Sequence, residues 1–279
     1  MRALRTVAVA CLAAGLLTAC GSSGSSGTAA DTKPASSASA ASGGGQDSGQ
    51  GSATLGSKET LLASAAVMEK AGSAKLTVSG NTVGTGEFVW KTPKTFLLNT
   101  KVDGTDSKVL FVGDVMYMGV GADMAEQAGG KTWMKVDSKA AAQDTPGGSG
   151  AGGFAFTMEL MDPAVQLAVA APTAIQSGTE TVAGQFTKHF RSEVPLDALV
   201  EKMSLTPELK TQVLTELKKK GSTVTTEFWI NAKGELVQQL SKGLATGTAK
   251  IVYSDLGTVQ PTKAPADSEV FSLADLLKQ

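Results

Sequence analysis

Side chains able to do chemistry are scarce in this 279-residue chain, which has one histidine, His189, and two cysteines, Cys11 and Cys20. A lone imidazole cannot build a histidine-rich metal site, and no carboxylate cluster has ligand spacing near it. A serine–histidine–aspartate set is arithmetically available, but no Gly-x-Ser-x-Gly elbow presents a serine. His189 lies in Phe186-Thr187-Lys188-His189-Phe190. On a strand the phenylalanines share a face with Lys188, which makes His189 a solvent-facing residue. Asp103 and Asp106 flank Gly104, the ordinary chemistry of a turn; a calcium loop has a denser set of oxygen ligands. Thr145–Gly153 (TPGGSGAGG) is glycine-rich, but no Gly-Lys-Ser/Thr follows to complete a phosphate cradle. It reads as a flexible loop. Lys218–Lys220 read as the solvated end of a helix, with contact to anionic headgroups as the alternative. These residues require no cofactor and no metal, and an enzyme is the weakest of the readings.

Cys20 is the residue with a chemical fate. Arg2 and Arg5 supply a positive start, and Val7–Leu17 an apolar run too short to span a bilayer comfortably. Leu17-Thr18-Ala19-Cys20 then resembles the lipobox of bacterial lipoproteins, Leu-(Ala/Ser/Thr)-(Gly/Ala)-Cys. The resemblance implies that residues 1–19 are a signal peptide and that Cys20 receives a diacylglyceryl group. The chain is then held at the extracytoplasmic face of the cell membrane. Two acyl chains anchor stably, at about 0.8 kcal/mol per buried CH₂. Cys11 leaves with the signal peptide, so the exported protein has no thiol pair and must be held by its core. Losing two arginines moves the formal charge from −1 to −3, which argues against a nucleic-acid partner. No second stretch is long and apolar enough to span a membrane.

Residues 20–56 are the lipidated cysteine and a Gly/Ser/Ala tract with almost no large apolar side chain, which cannot offset its ordering entropy. As a tether of about 36 residues it has a root-mean-square span of roughly 30–36 Å. Residues 57–279 are one domain in size. They open with Leu61, Leu62, Ala65, Ala66 and Met68 at helical spacing, capped by Gly72. A period-two meander follows through Leu76, Val78, Phe88, Trp90, Phe96, Leu98, Val109, Phe111, Val115, Tyr117 and Trp133. Asp162 and Pro163 start a second helix. Strands follow at Ile175–Val182 and Phe186–Arg191, and a short helix at Leu196–Met203. Thr206 and Pro207 start a helix with the stripe Leu209, Val213, Leu214 and Leu217. Three strands close the domain, at Thr223–Ile230, Leu236–Leu240 and Thr246–Tyr253, the first two joined by a turn at Asn231-Ala232-Lys233-Gly234. The expected fold is α+β: one curved antiparallel sheet, a half-barrel, with helices across its concave face.

The order of these segments, with Thr226-Glu227-Phe228-Trp229-Ile230 entering the last hairpin and Tyr253-Ser254-Asp255-Leu256-Gly257 near the end, resembles the LppX/LprAFG family of actinobacterial envelope lipoproteins. That resemblance implies a LolA/LolB-like fold and a lipid or glycolipid ligand, its acyl chain held between sheet and helices. The long Gly-rich insertion and the scarcity of aromatics depart from the family. Eight methionines besides Met1 fit a surface that accepts varied apolar partners, and equally an irregular core. The cavity candidates are Phe88, Trp90, Phe96, Leu98, Phe111, Met116, Met118 and Met134 from the meander, and Met161, Val165 and Leu214 from the helices. Since one strand face looks inward, some of them are expected to pack outside. Two readings stand: a lipid carrier or chaperone, and a scaffolding module with a filled core that recruits an envelope protein.

Overall fold

A computed structural model of the chain describes residues 55–102, 104–137, 158–203, 205–219, 221–244, 247–272 and 275. The lipobox, the tether through residue 54, Asp103 and the glycine-rich loop lie outside them. Helix α1 (Ser57–Ala71) buries Leu61, Ala65 and Met68 on one stripe. It ends where Gly72 turns left-handed at φ 74° and its N–H donates to the Met68 carbonyl at 3.0 Å, a conformation that only glycine adopts freely. Five strands follow: β1 (Ser73–Gly80), β2 (Gly84–Val89), β3 (Thr95–Val102), β4 (Thr105–Val112) and β5 (Val115–Gly119). A short helix, α2 (Ala122–Gln127), leads to β6 (Trp133–Asp137).

Helix α3 (Pro163–Ala170) begins as its sequence demands, with the Asp162 carboxylate accepting from the Ala164 and Val165 N–H groups and Pro163 at the first position. Strands β7 (Ile175–Val182) and β8 (Gln185–Pro195) form a hairpin. Helices α4 (Leu196–Glu201) and α5 (Pro207–Lys218) come next, the Thr206 hydroxyl accepting from Leu209 N–H at 3.4 Å. Then come β9 (Thr223–Asn231), β10 (Leu236–Leu244), β11 (Gly247–Ser254) and the three-residue β12 (Val270–Ser272).

The twelve strands among the described residues make one sheet in the order β12-β6-β5-β4-β3-β2-β1-β11-β10-β9-β8-β7. The two ends of that order do not pair, so the sheet is unclosed. It is antiparallel except at one edge, where β12 runs parallel to β6. The sequence reading of an all-antiparallel sheet is corrected there: the chain after β11 reaches β6 by crossing the sheet rather than by a hairpin. Gly257 N–H donates to the Ser73 carbonyl at 2.8 Å, Thr262 N–H to Thr95 Oγ1 at 3.1 Å, and Thr132 N–H to the Glu269 carbonyl at 3.1 Å. This strap crosses the face turned away from the helices, where Val89, Thr95, Leu110 and Tyr117 are buried. The opposite, inner face carries the main core. Leu61 and Met68 of α1, Leu167 of α3, Leu199 of α4 and Leu217 of α5 cluster there with Phe88, Phe190 and Phe228 of the strands.

Candidate functional site

Register decides which side chains meet. One row crosses six strands as Ala74, Phe88, Phe96, Phe111, Met116 and Val136. The next runs Leu76, Gly86, Leu98, Val109, Met118, Met134 and Phe271. Directly opposed residues share a face, and adjacent rows two residues apart on each strand do as well. The strand candidates therefore all lie on the inner face. The expectation that some must pack outside is corrected, because each run keeps its period of two and the turns preserve its phase from strand to strand.

The rows change character along their length. Phe88 meets Trp90 at 5.4 Å between ring centroids and Phe96 edge-on at 5.9 Å, and Phe96 meets Phe111 at 6.0 Å. Phe88, Trp90, Phe96, Leu98 and Phe111 are buried. Met116, Met118 and Met134, toward β6, are half-buried. Gly84 and Gly86 leave the inner face of β2 bare, and a Cβ at Gly86 would run into the Leu97 carbonyl oxygen. Trp90 follows β2 and its indole N–H donates to the Met68 carbonyl at 2.9 Å, fastening the end of α1 to the sheet.

Beside Trp90 lies an open cleft of about 460 Å³ between α1, α3 and the β2–β3 turn. Ala65 and Glu69 line it from α1, Ala164, Val165 and Ala168 from α3, and Trp90, Lys91, Thr92 and Asp162 at its end. Its size is that of a small-molecule site, roughly 300–1,000 Å³. Trp90 and Val165 are the two sequence candidates that border it. Met161, at the end of the helical segment 158–161 just ahead of α3, and Leu214 of α5 are partly buried against the core. The small residues Ala65, Ala164 and Ala168 make the cleft; they escape a search for large apolar side chains.

Polar groups hold one end of the cleft. Lys94 Nζ sits 2.7 Å from Glu159 and 3.5 Å from Asp162. Burial pushes the Asp162 carboxyl above its usual range, against the pull of Lys94 and the two capping N–H groups, with Glu159 adding to the push. A carboxyl whose folded pKa is raised costs stability when ionised, so its contribution improves as pH falls through that folded value. Asp162→Ala should destabilise by about 1 kcal/mol through loss of the cap. Asp162→Asn, which keeps an acceptor, should lose less and should also lose the pH term. Denaturant midpoints across a pH series check both.

His189 lies on the outer face, as its alternation requires, but it is not solvent-facing. Its ring stacks on Trp229 at 4.3 Å and 8°, with the side chain 19% exposed. Nε2 is 3.0 Å from Glu227, Nδ1 is 3.5 Å from Glu180, and Trp229 donates to Glu180 at 2.6 Å. The correction has a plain cause: β9 places Trp229 opposite His189, a pairing invisible in either segment alone. Burial alone would raise the Glu227 carboxyl. Hydrogen bonds and charge from Lys242 and His189 outweigh it and hold the group below its usual range. A depressed carboxylate contributes stability above its unfolded pKa and loses it as pH falls through the folded one. Glu227→Gln should therefore flatten the acid limb of the stability curve, below about pH 4.3. Thermal melts in that window check it. Among the described residues no group of three or more His, Cys, Asp or Glu side chains could hold a metal ion. No described helix is long and apolar enough to cross a membrane.

The sequence is 27% identical over 244 residues to an uncharacterised 31.2 kDa protein of Streptomyces griseus encoded in the rplA–rplJ intergenic region, covering 82% of this chain and 74% of that one. No family model matches the chain. Among solved structures it is similar to LprF from Mycobacterium bovis, at 13% identity and a TM-score of 0.49, covering 75% of this chain and 97% of that one. It is similar to the Mycobacterium tuberculosis lipoprotein LppX at 13% identity and a TM-score of 0.44, covering 73% and 98%. A LolA-superfamily protein from Nitrosomonas europaea follows at 8% identity and 0.26, covering 76% and 96%.

Proposed function

We propose that this chain is a non-enzymatic, extracytoplasmic lipoprotein anchored at Cys20, which carries a lipid or glycolipid by holding its acyl chain between sheet and helices. One observation carries the reading: the apolar rows of the sheet share a single face, and that face meets solvent at two places. These are the Trp90–Val165 cleft and the half-buried methionines of β5 and β6. Methionine accepts unbranched, flexible partners without a fixed shape. An apolar lining with polar groups at one end matches an amphipathic ligand. The competing module with a filled core draws on the full burial of Phe88, Phe190 and Phe228.

The test is direct. The full chain is purified from its native host, extracted with organic solvent and analysed by mass spectrometry. The diacylglyceryl group, joined to the Cys20 sulfur by a thioether, stays with the protein, so a stoichiometric extracted lipid supports the carrier. No lipid at any stage of a gentle purification leaves the filled-core module as the better account.

A further inference from the structure

The Trp90–Val165 cleft ends in polar groups, and their bonding divides them into donors already engaged and acceptors still open. Glu69, Lys91, Thr92 and Asp162 line that end, and Lys94 and Glu159 stand against Asp162. Among these residues three carboxyls face two ammonium groups. Both ammonium groups are held internally. Lys94 Nζ lies 2.7 Å from Glu159 and 3.5 Å from Asp162, and Lys91 Nζ donates to the Lys70 carbonyl at 2.6 Å, at the end of α1. The N-terminus of α3 has the N–H groups that take an anion, but the chain fills it itself. Asp162 Oδ1 accepts from Ala164 N–H at 3.0 Å and from Val165 N–H at 3.4 Å.

The acceptors are in surplus. Asp162 is 7% exposed, and the contact of its Oδ2 is the long ion pair to Lys94. The Glu69 carboxylate, exposed on α1, has no partner among the described residues. Each carboxylate oxygen can take roughly two donors, so this end of the cleft is short of donors. A phosphate placed here would add acceptors and negative charge beside a buried carboxyl, and would lose water with no free cation to replace it. A hydroxyl or an amine would supply what is missing.

We propose that the cleft selects a lipid whose headgroup donates hydrogen bonds and carries no negative charge, and discriminates against anionic phospholipids. The donors are sugar hydroxyls or an amine, directed at Asp162 Oδ2 and Glu69. The proposal rests on the carrier reading and deepens it.

The experiment uses the full chain in a non-ionic detergent, exchanged against four lipids with the same dioleoyl chains. They are a monoglucosyl diacylglycerol, a lipid with a tertiary-amine headgroup, phosphatidylglycerol and phosphatidic acid. Lipid retained after the micelles are removed is counted by mass spectrometry. The glucosyl or the amine lipid should be retained several-fold better than either phospholipid, and the one that leads identifies the donor. Glu69→Lys, at an exposed helix position, and Asp162→Asn, which keeps a capping acceptor, should each narrow that preference several-fold. Equal retention of all four, or better retention of the phospholipids, would overturn headgroup selection and leave lipid carriage standing. A preference that neither variant moves would overturn the site. Retention of none of the four would overturn carriage and this inference with it.

Discussion

Phe88→Ala should remove about 3–5 kcal/mol of unfolding free energy, while Phe186→Ala should change it by less than about 0.5 kcal/mol. The two phenylalanines separate burial from composition. The Phe88 ring is 0% exposed, packs on Trp90 and Phe96, and sits where the first cross-strand row meets the end of α1. Its removal leaves a cavity that the strands on either side cannot close without giving up their hydrogen-bonded register. Phe186 is 65% exposed at a hairpin. A domain of this size has a total stability of about 5–15 kcal/mol, so the first change consumes about a fifth or more of it. Urea or guanidinium titration of both variants gives the comparison. Equal losses would mean that the aromatic ladder is not the centre of the core.

Val165→Trp should expel a bound acyl chain and barely move the melting temperature. Val165 is partly buried, and its side chain borders the open cleft. A larger ring there can extend into unoccupied space instead of into packed neighbours. In a filled core the same change would overpack, costing typically 1–3 kcal/mol, or roughly 2–12 °C in a domain of this length. Bound lipid and thermal stability are therefore measured together. Lost lipid with nearly unchanged melting supports carriage. A large fall in melting temperature, with no lipid in the parent protein, favours the module with a filled core.

Local patterns in the sequence determined most of the elements. Asp162 with Pro163, Thr206 with Pro207, and Gly72 each mark a helix end, because capping needs only a few neighbouring residues. Period-two alternation likewise sufficed for strands of the first meander, such as β3 with Phe96 and Leu98, and Asn231–Gly234 for the turn before β10. The apolar candidates were legible because strand pleat and hydrophobic pattern share a period. Other features depended on residues distant in the chain. The parallel edge of β12 arises from a strap that crosses the sheet after Gly257. His189 meets Trp229 only through the β8–β9 register, and the bare track at Gly84 and Gly86 matters only because Leu76 and Leu98 flank it. The cleft exists because α1 and α3 cross close to Trp90 through small residues. Local sequence sets each element's period and ends, whereas register and helix placement come from closing one core over all the strands at once, which is why tertiary structure alone decided where the inner face opens.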